Sequence, residues 1–312
     1  MKVSVVVPAY NQSRYLREAL ASALGQSHAD LEVIVVDDGS TDDTRVVCES
    51  FDDPRLVYVR QDNDGTMGCG ARNHAMLLAR GEWIALLDQD DRWDTHKIRR
   101  QLERSAEFPA AGAVFCRVRY IDGRGTTTGE QDGPLPEGDV FHALLGKNRF
   151  HAVAGMFRRA LLPVIGLPHG GVGLPDHALW LALSRRAPVA CVDELLADYR
   201  VHAQGYQEAQ RRSALMRFAD DGWQLNAFQA GLLHRGCPAC RAGHRRALRG
   251  SARSYLRALA MQWSAGRFAG GGVALGRALT AAPLWSVMPW NLLHHGALLA
   301  LAAVRGLISP VR

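Results

Sequence analysis

Apolar residues recur along the first hundred positions in two alternating rhythms. Val3–Val7 is a continuous β-branched run, the pattern of a strand buried on both faces. Between Ser13 and Leu24, the residues Leu16, Ala19, Leu20, Ala23 and Leu24 fall on one helical stripe. Leu31–Val36 repeats the strand pattern and runs into Asp37-Asp38-Gly39-Ser40. Thr41 or Asp42 can cap the helix that follows. Leu56–Val59 reads as a third strand, Gly68–Ala79 as a third helix entered through a Gly-rich loop, and Trp83–Leu87 as a fourth strand. Strands separated by helices of this length predict parallel βαβ units in an α/β fold. Ligands then belong at the carboxyl ends of the strands. Pro8-Ala9-Tyr10-Asn11, Asp37-Asp38 and Asp88-Gln89-Asp90-Asp91 all fall there.

The pattern weakens after position 100. Gly123 to Gly138 is rich in Gly, Pro, Thr and acidic residues and reads as a hairpin turn and loop. Ala152–Phe157 and Ala190–Val192 look like short strands around a helix at Pro175–Arg185. From about Tyr206 the sequence is mostly helical in pattern. The expected organisation is an α/β domain over 1–205, in halves at 1–100 and 101–205. A helical extension over 206–312 follows it.

Composition narrows the class. The 312 residues are 47% hydrophobic and 22% charged, a globular balance. The net charge of +6, with late runs such as Arg211-Arg212 and Arg245-Arg246, favours phosphate-rich partners. Bases and aromatics do not interleave, so nucleic acid is not an expected partner. The Met1–Pro8 segment reads as a strand and not as a signal peptide. The six cysteines show no regular framework, which fits a cytoplasmic protein with reduced thiols. No uninterrupted apolar stretch reaches the roughly 18 residues that a spanning helix needs.

The acidic cluster after the fourth strand carries the chemistry. Asp88, Asp90 and Asp91 raise one another's pKa unless a cation or donor-rich ligand neutralises them. Oxygen ligands of this kind suit Mg²⁺ or Mn²⁺, ions that share their coordination with substrate phosphates. A solvated acidic loop is the plainer alternative. Arg72, just inside the helix after the Gly65–Gly70 loop, can pair with a diphosphate or with a nearby carboxylate. That loop follows the third strand and has the wrong spacing for a dinucleotide fingerprint.

Val3-Ser-Val-Val-Val-Pro-Ala-Tyr-Asn11, Val35-Val-Asp-Asp-Gly-Ser-Thr41, Gly70-Ala-Arg-Asn73 and Leu87-Asp-Gln-Asp-Asp91 occur in an order that resembles the inverting family-2 glycosyltransferases of GT-A fold. The resemblance covers residues 1 to about 205 and implies that this domain is catalytic, with a nucleotide-sugar-binding half at 1–100 and an acceptor half at 101–205. It implies a Rossmann-like, mostly parallel sheet flanked by helices. It implies a nucleobase held by Pro8, Tyr10 and Asp38, chemistry that an aromatic face and a carboxylate accepting an imide N–H can perform. Asp88-x-Asp90 matches the family's DxD motif, with Asp90 as metal ligand and Asp88 on the ribose or on metal-bound water. Leu174-Pro-Asp-His-Ala-Leu-Trp-Leu181 resembles the family's Glu-Asp segment, which makes Asp176 the catalytic base. Pro175 stands where the family often has Glu, a departure that bears on acceptor contacts. His177 is the second candidate base. Asp198-Tyr-Arg-Val-His202 resembles a segment that closes the active site, so His202 is a candidate metal ligand and Arg200 a candidate phosphate partner.

The implied activity is metal-dependent inverting transfer, with Mn²⁺ or Mg²⁺, from a UDP- or dTDP-type sugar to a hydroxyl of a glycan or lipid-linked saccharide. A non-catalytic sugar-nucleotide-binding module and a nucleotidyltransferase are the alternatives. The latter needs a Gly/Lys/Arg-rich loop where this chain has Pro8-Ala-Tyr-Asn-Gln-Ser13. In the tail, residues 283–308 combine Trp285, Trp290 and a Leu298–Val304 run with nearby arginines, the makings of an interfacial helix at the inner face of the cell membrane. His234, Cys237, Cys240 and His244 are zinc-type ligands. Their spacing is too tight for a regular finger, so a helix start with incidental thiols is expected.

Overall fold

All seven residues of Val3–Ala9 are buried, and they form the strand β1 at the centre of the molecule. The computed structural model describes residues 1–63, 68–165, 175–202, 231–234 and 236–248. The amino-terminal half follows the expected alternation. After β1 come α1 (Ser13–Leu24), β2 (Leu31–Asp37), α2 (Thr44–Glu49), β3 (Leu56–Arg60), α3 (Cys69–Leu78) and β4 (Trp83–Leu86). The order in the sheet is β3-β2-β1-β4, and every pairing is parallel.

The second half completes one nine-stranded mixed sheet. It contains β5 (Arg92–Trp93), α4 (Lys97–Glu107), β6 (Ala113–Ile121), β7 (Thr127–Glu130), α5 (Phe141–Leu144), β8 (Gly155–Arg158), α6 (Leu162–Ile165), α7 (Pro175–Ser184) and β9 (Val189–Arg200). The path continues from β4 through β8, β6 and β9 to β5, with β7 paired to β6. β8 runs antiparallel to both β4 and β6, whereas β6 and β9 are parallel. The expected strand at 152–157 begins later, because Ala152–Ala154 form a 3₁₀ turn. The one expected at 190–192 is twelve residues long.

Period-two alternation divides the core between the two sheet faces. Val3, Val5, Val7, Val33, Val35, Trp83 and Ala85 pack with α1, α2 and α4. Val6, Ile34, Val36, Ile84 and Leu86 pack with α3, α5 and α7. Gly155 lets two aromatic rings close over β8: a Cβ there would lie 2.8 Å from both Phe115 Cε1 and Trp180 Cη2. The registers bring the functional strand ends level. Ala9 is opposite Asp37, and Val6 is opposite Leu86. The loops after β1, β2 and β4 therefore leave the sheet side by side.

The division at 205 and most of the helical extension, with the 283–308 segment, lie outside the described residues. Of its described residues, 231–234 and 236–248, those at 238–248 form a helix. No helix among the described residues is long and apolar enough to cross a membrane.

Candidate active site

Asp37 and Asp38 part company at the end of β2. Asp37 is fully buried and serves the scaffold. Its Oδ1 accepts the Ser40 N–H at 2.8 Å, and its Oδ2 accepts the Tyr58 hydroxyl at 2.6 Å and Arg60 Nη1 at 3.0 Å. These bonds fix the turn through Gly39, whose φ of +80° suits glycine. Asp38 is also buried. Gln61 Nε2 donates to its Oδ1 at 2.7 Å and Asn63 Nδ2 to its Oδ2 at 3.2 Å.

The loop after β1 is held from two sides. Gln89 accepts the Tyr10 N–H at 2.8 Å and returns its own amide to the Tyr10 carbonyl at 3.1 Å. Asn11 accepts the Thr41 N–H at 2.8 Å. Pro8 lies within the buried strand, while Tyr10 remains 45% exposed, so its ring is open to a stacking partner. Gln89 lies within the acidic motif yet reads there only as a spacer. Its clamp on Tyr10 depends on the adjacency of β1 and β4.

The acidic rim is organised by cations. Arg72 Nη2 donates to Asp88 Oδ1 at 2.5 Å. His202 Nε2 lies 2.9 Å from Asp90 Oδ2, with its ring 4.6 Å from that of Tyr15. Asp91 is buried, and its Oδ1 accepts the Arg200 N–H at 2.7 Å. Burial, then Asp90 and Asp88, push the Asp91 carboxyl well above its ordinary range. Burial also raises Asp88, and Asp90 and Asp176 add to this against the pull of Arg72. Tyr199 is raised by burial and by the same carboxylates. Among the described residues, two buried atoms at this rim have no partner: Asp91 Oδ2 and Arg72 Nε. One is an acceptor and one a donor, so the rim fits a cation with an anion attached.

Arg200 is not available to a phosphate. It is buried, and its Nε donates to the Asp90 carbonyl, its Nη1 to the Asp122 carbonyl and its Nη2 to Glu18. A buried guanidinium needs acceptors on every side, and here they brace the acidic loop against α1. Arg92 and Arg119 similarly grip the two oxygens of Asp198 on β9.

Asp176 lies in the first turn of α7. The Asn148 amide donates to its Oδ2 at 3.0 Å, and the Asn148 Oδ1 accepts the Phe150 N–H. The Asp176 charge acts on Arg72 and on Asp88, so it lies near the same rim. His177 is turned away. It is buried, with its Nε2 2.7 Å from the Leu144 carbonyl, so that nitrogen donates and is no base. Asn148 carries no signal in the sequence, because its partner is 28 residues away.

The structure thus brings Tyr10, Asp38, Arg72, Asp88, Asp90, Asp176 and His202 to one edge of the sheet. The glycosyl transferase family 2 profile matches residues 4–162. The chain is 32% identical over 214 residues to an uncharacterized glycosyltransferase of Nostoc sp., a match that covers 65% of either chain. It is 32% identical over 218 residues to the UDP-Glc:alpha-D-GlcNAc-diphosphoundecaprenol beta-1,3-glucosyltransferase WfaP of Escherichia coli, covering 69% of this chain and 83% of that one. The mannosyltransferase PcManGT of Pyrobaculum calidifontis, solved with GDP-Man and Mn²⁺, superposes with a TM-score of 0.58 at 24% identity. That alignment covers 98% of this chain and 87% of that one, and at such identity the likeness is one of fold.

Proposed function

The chain belongs to glycosyl transferase family 2, with the GT-A fold, and from that premise we propose metal-dependent inverting transfer from a nucleoside-diphosphate sugar of UDP or dTDP type. The observation that carries this reading is the gathering of carboxylates at one strand edge: Arg72 pairs with Asp88 and His202 with Asp90, and the charge of a third carboxylate, Asp176 on α7, reaches Arg72 and Asp88.

Each residue has a task that its chemistry allows. Tyr10 stacks on a pyrimidine, and Pro8 backs the same loop. Asp38, at the end of β2, accepts the imide N–H, as a carboxylate can. Asp88 takes the ribose hydroxyls, oriented by Arg72. The Arg72 guanidinium also faces the diphosphate with its unpartnered Nε. Asp90 would hold Mn²⁺ or Mg²⁺, with His202 and the unpartnered oxygen of Asp91 beside it. A divalent cation held there neutralises the charge that develops on the departing diphosphate. The donor set is mainly carboxylate oxygen with one imidazole, which suits Mn²⁺.

Asp176 is the general base. A carboxylate on the face opposite the leaving group takes the proton of the attacking hydroxyl, and inversion follows from that placement. Asn148 holds one of its oxygens, which fixes the direction in which the other points. The acceptor is a hydroxyl of a glycan or lipid-linked saccharide; the name of the Escherichia coli relative, with its diphosphoundecaprenol acceptor, supports that class. The assay is hydrolysis of a UDP-sugar with and without Mn²⁺. Turnover that needs Mn²⁺, is lost in Asp90→Ala and is slowed in Asp176→Asn bears the proposal out. Equal turnover by Asp90→Ala and the parent rejects it.

A further inference from the structure

The thiols that the sequence leaves as incidental meet a partner from far along the chain. His142, on α5, places its Nε2 3.5 Å from Cys237 Sγ and 3.4 Å from Cys240 Sγ. Those three ligand atoms all lie within 4.8 Å of one another. His234 lies beside the cluster, its Nδ1 3.4 Å from Cys240 Sγ, but it is not within 4.8 Å of all three ligand atoms. His244 is also outside the cluster.

We propose that His142, Cys237 and Cys240 form three corners of a structural zinc site, separate from the carboxylate rim, and that His234 turns in from beside Cys240 as the fourth ligand. A tetrahedral ion with Zn–S of about 2.3 Å and Zn–N of about 2.0–2.1 Å has S···N edges of about 3.6 Å. The three S···N distances above match that edge. A hydrogen bond accounts for them less well. One imidazole N–H has one proton and points at one acceptor, yet His142 Nε2 is equidistant from two sulfurs. The sulfurs also receive backbone N–H groups: Cys240 N to Cys237 Sγ at 3.4 Å and His234 N to Cys240 Sγ at 3.3 Å. Such donors stabilise thiolates and hold ligands in place around a metal. Two thiolates and two imidazoles select Zn²⁺, whereas the oxygen-rich rim at Asp88–Asp91 suits Mn²⁺ or Mg²⁺. Ligand softness would therefore sort the two ions between the two sites.

The spacing objection is also removed. His234-x₂-Cys237-x₂-Cys240 is too tight to close a loop on itself, but His142 closes one of 95 residues. Such an ion fastens the 231–248 segment to the acceptor side of the fold. Cys240 is fully buried in that core, and Arg185 Nε donates to the Leu232 carbonyl at 3.1 Å. Gly243 sits so close to α5 that a Cβ would lie 2.9 Å from Leu145. From α5 the chain runs directly to Asn148, the residue that holds Asp176. Zinc at this point braces the part of the fold that carries the proposed base.

The test is metal analysis of the full chain, purified without chelator from zinc-supplemented cells. The expected content is one zinc per chain. Cobalt in its place should give the intense visible bands of a tetrahedral thiolate site. The Cys237→Ser/Cys240→Ser double variant should lose the zinc yet still bind Mn²⁺ and UDP. Should that variant not fold, zinc titration of the chelator-stripped, reduced parent decides: stoichiometric uptake that protects two thiols from a thiol reagent upholds the site. Absence of uptake by folded parent, a Cys237–Cys240 disulfide in its place, or zinc retained by a folded double variant overturns it. These readouts do not use glycosyl transfer, so they stand apart from the proposed activity.

Discussion

Asn148→Asp is the sharpest probe of the proposed base. The parent amide donates to Asp176 Oδ2 at 3.0 Å, while its other end accepts the Phe150 N–H. Aspartate preserves the second bond, so the local turn survives. It replaces the first with a repulsion between two carboxylates about 4 Å apart. That repulsion is worth about 1 kcal/mol in bulk water and about 4 kcal/mol at an effective dielectric near 20. Both side chains are partly exposed, so the value lies between these limits. The acid limb of kcat against pH reports the base in the substrate complex. Measured as Mn²⁺-dependent UDP-sugar hydrolysis at saturating donor, that limb should move up by about one to three units. Asn148→Ala, which adds no charge, should lower kcat with a smaller displacement. A limb at the same pH in Asn148→Asp and the parent would refute both the contact and the assignment of Asp176.

Arg72→Ala removes the cation that faces Asp88 and should weaken UDP binding about tenfold to a hundredfold, from about 1.5–3 kcal/mol per charge-assisted hydrogen bond; unchanged affinity by calorimetry contradicts the diphosphate role. Lys97 is fully buried between Gln101 and the Trp93 ring, and burial lowers its pKa from 10.5 to about 8. The unfolded chain therefore binds this proton more tightly, so stability should rise as pH climbs from about 8 to 10.5 and bear the full penalty below 8. Lys97→Met should then gain up to about 3 kcal/mol at pH 7 and lose that rise, as read by urea unfolding across the window; a destabilised variant counters the argument. Gly155→Ala drives a methyl into Phe115 and Trp180 and should cost about 1–3 kcal/mol, with an unchanged urea midpoint as the contrary result.

β1, β2 and β4 are legible because they are buried on both faces and almost wholly apolar, and β3 because Leu56–Val59 is an unbroken apolar and aromatic run. The registers they adopt then follow, and with them the edge where Tyr10, Asp38 and Asp88 meet. β6 and β9 are harder to read. Arg117 and Arg119 interrupt one, and Asp193, Glu194 and Asp198 the other, so each resembles loop until the strands lie parallel and Arg119 meets Asp198. The role of Arg200 is equally hidden. A basic residue beside a phosphate-type site invites a ligand, but only the fold reveals that Glu18 and two carbonyls already occupy it. His142 and Asn148 are illegible for a related reason: each acquires its meaning from a partner many residues away, and local spacing cannot report such a pair.

The central claim is that Asp90 grips a cation shared with a nucleotide diphosphate. Anomalous diffraction at the manganese edge, from crystals soaked with Mn²⁺ and UDP, tests it directly. The account predicts a peak in coordination contact with the Asp90 carboxylate and the diphosphate, with Tyr10 against the uracil and Arg72 on the phosphate side. A diphosphate bound with no peak beside Asp90, or a nucleotide lying away from Asp38 and Asp88, would contradict it.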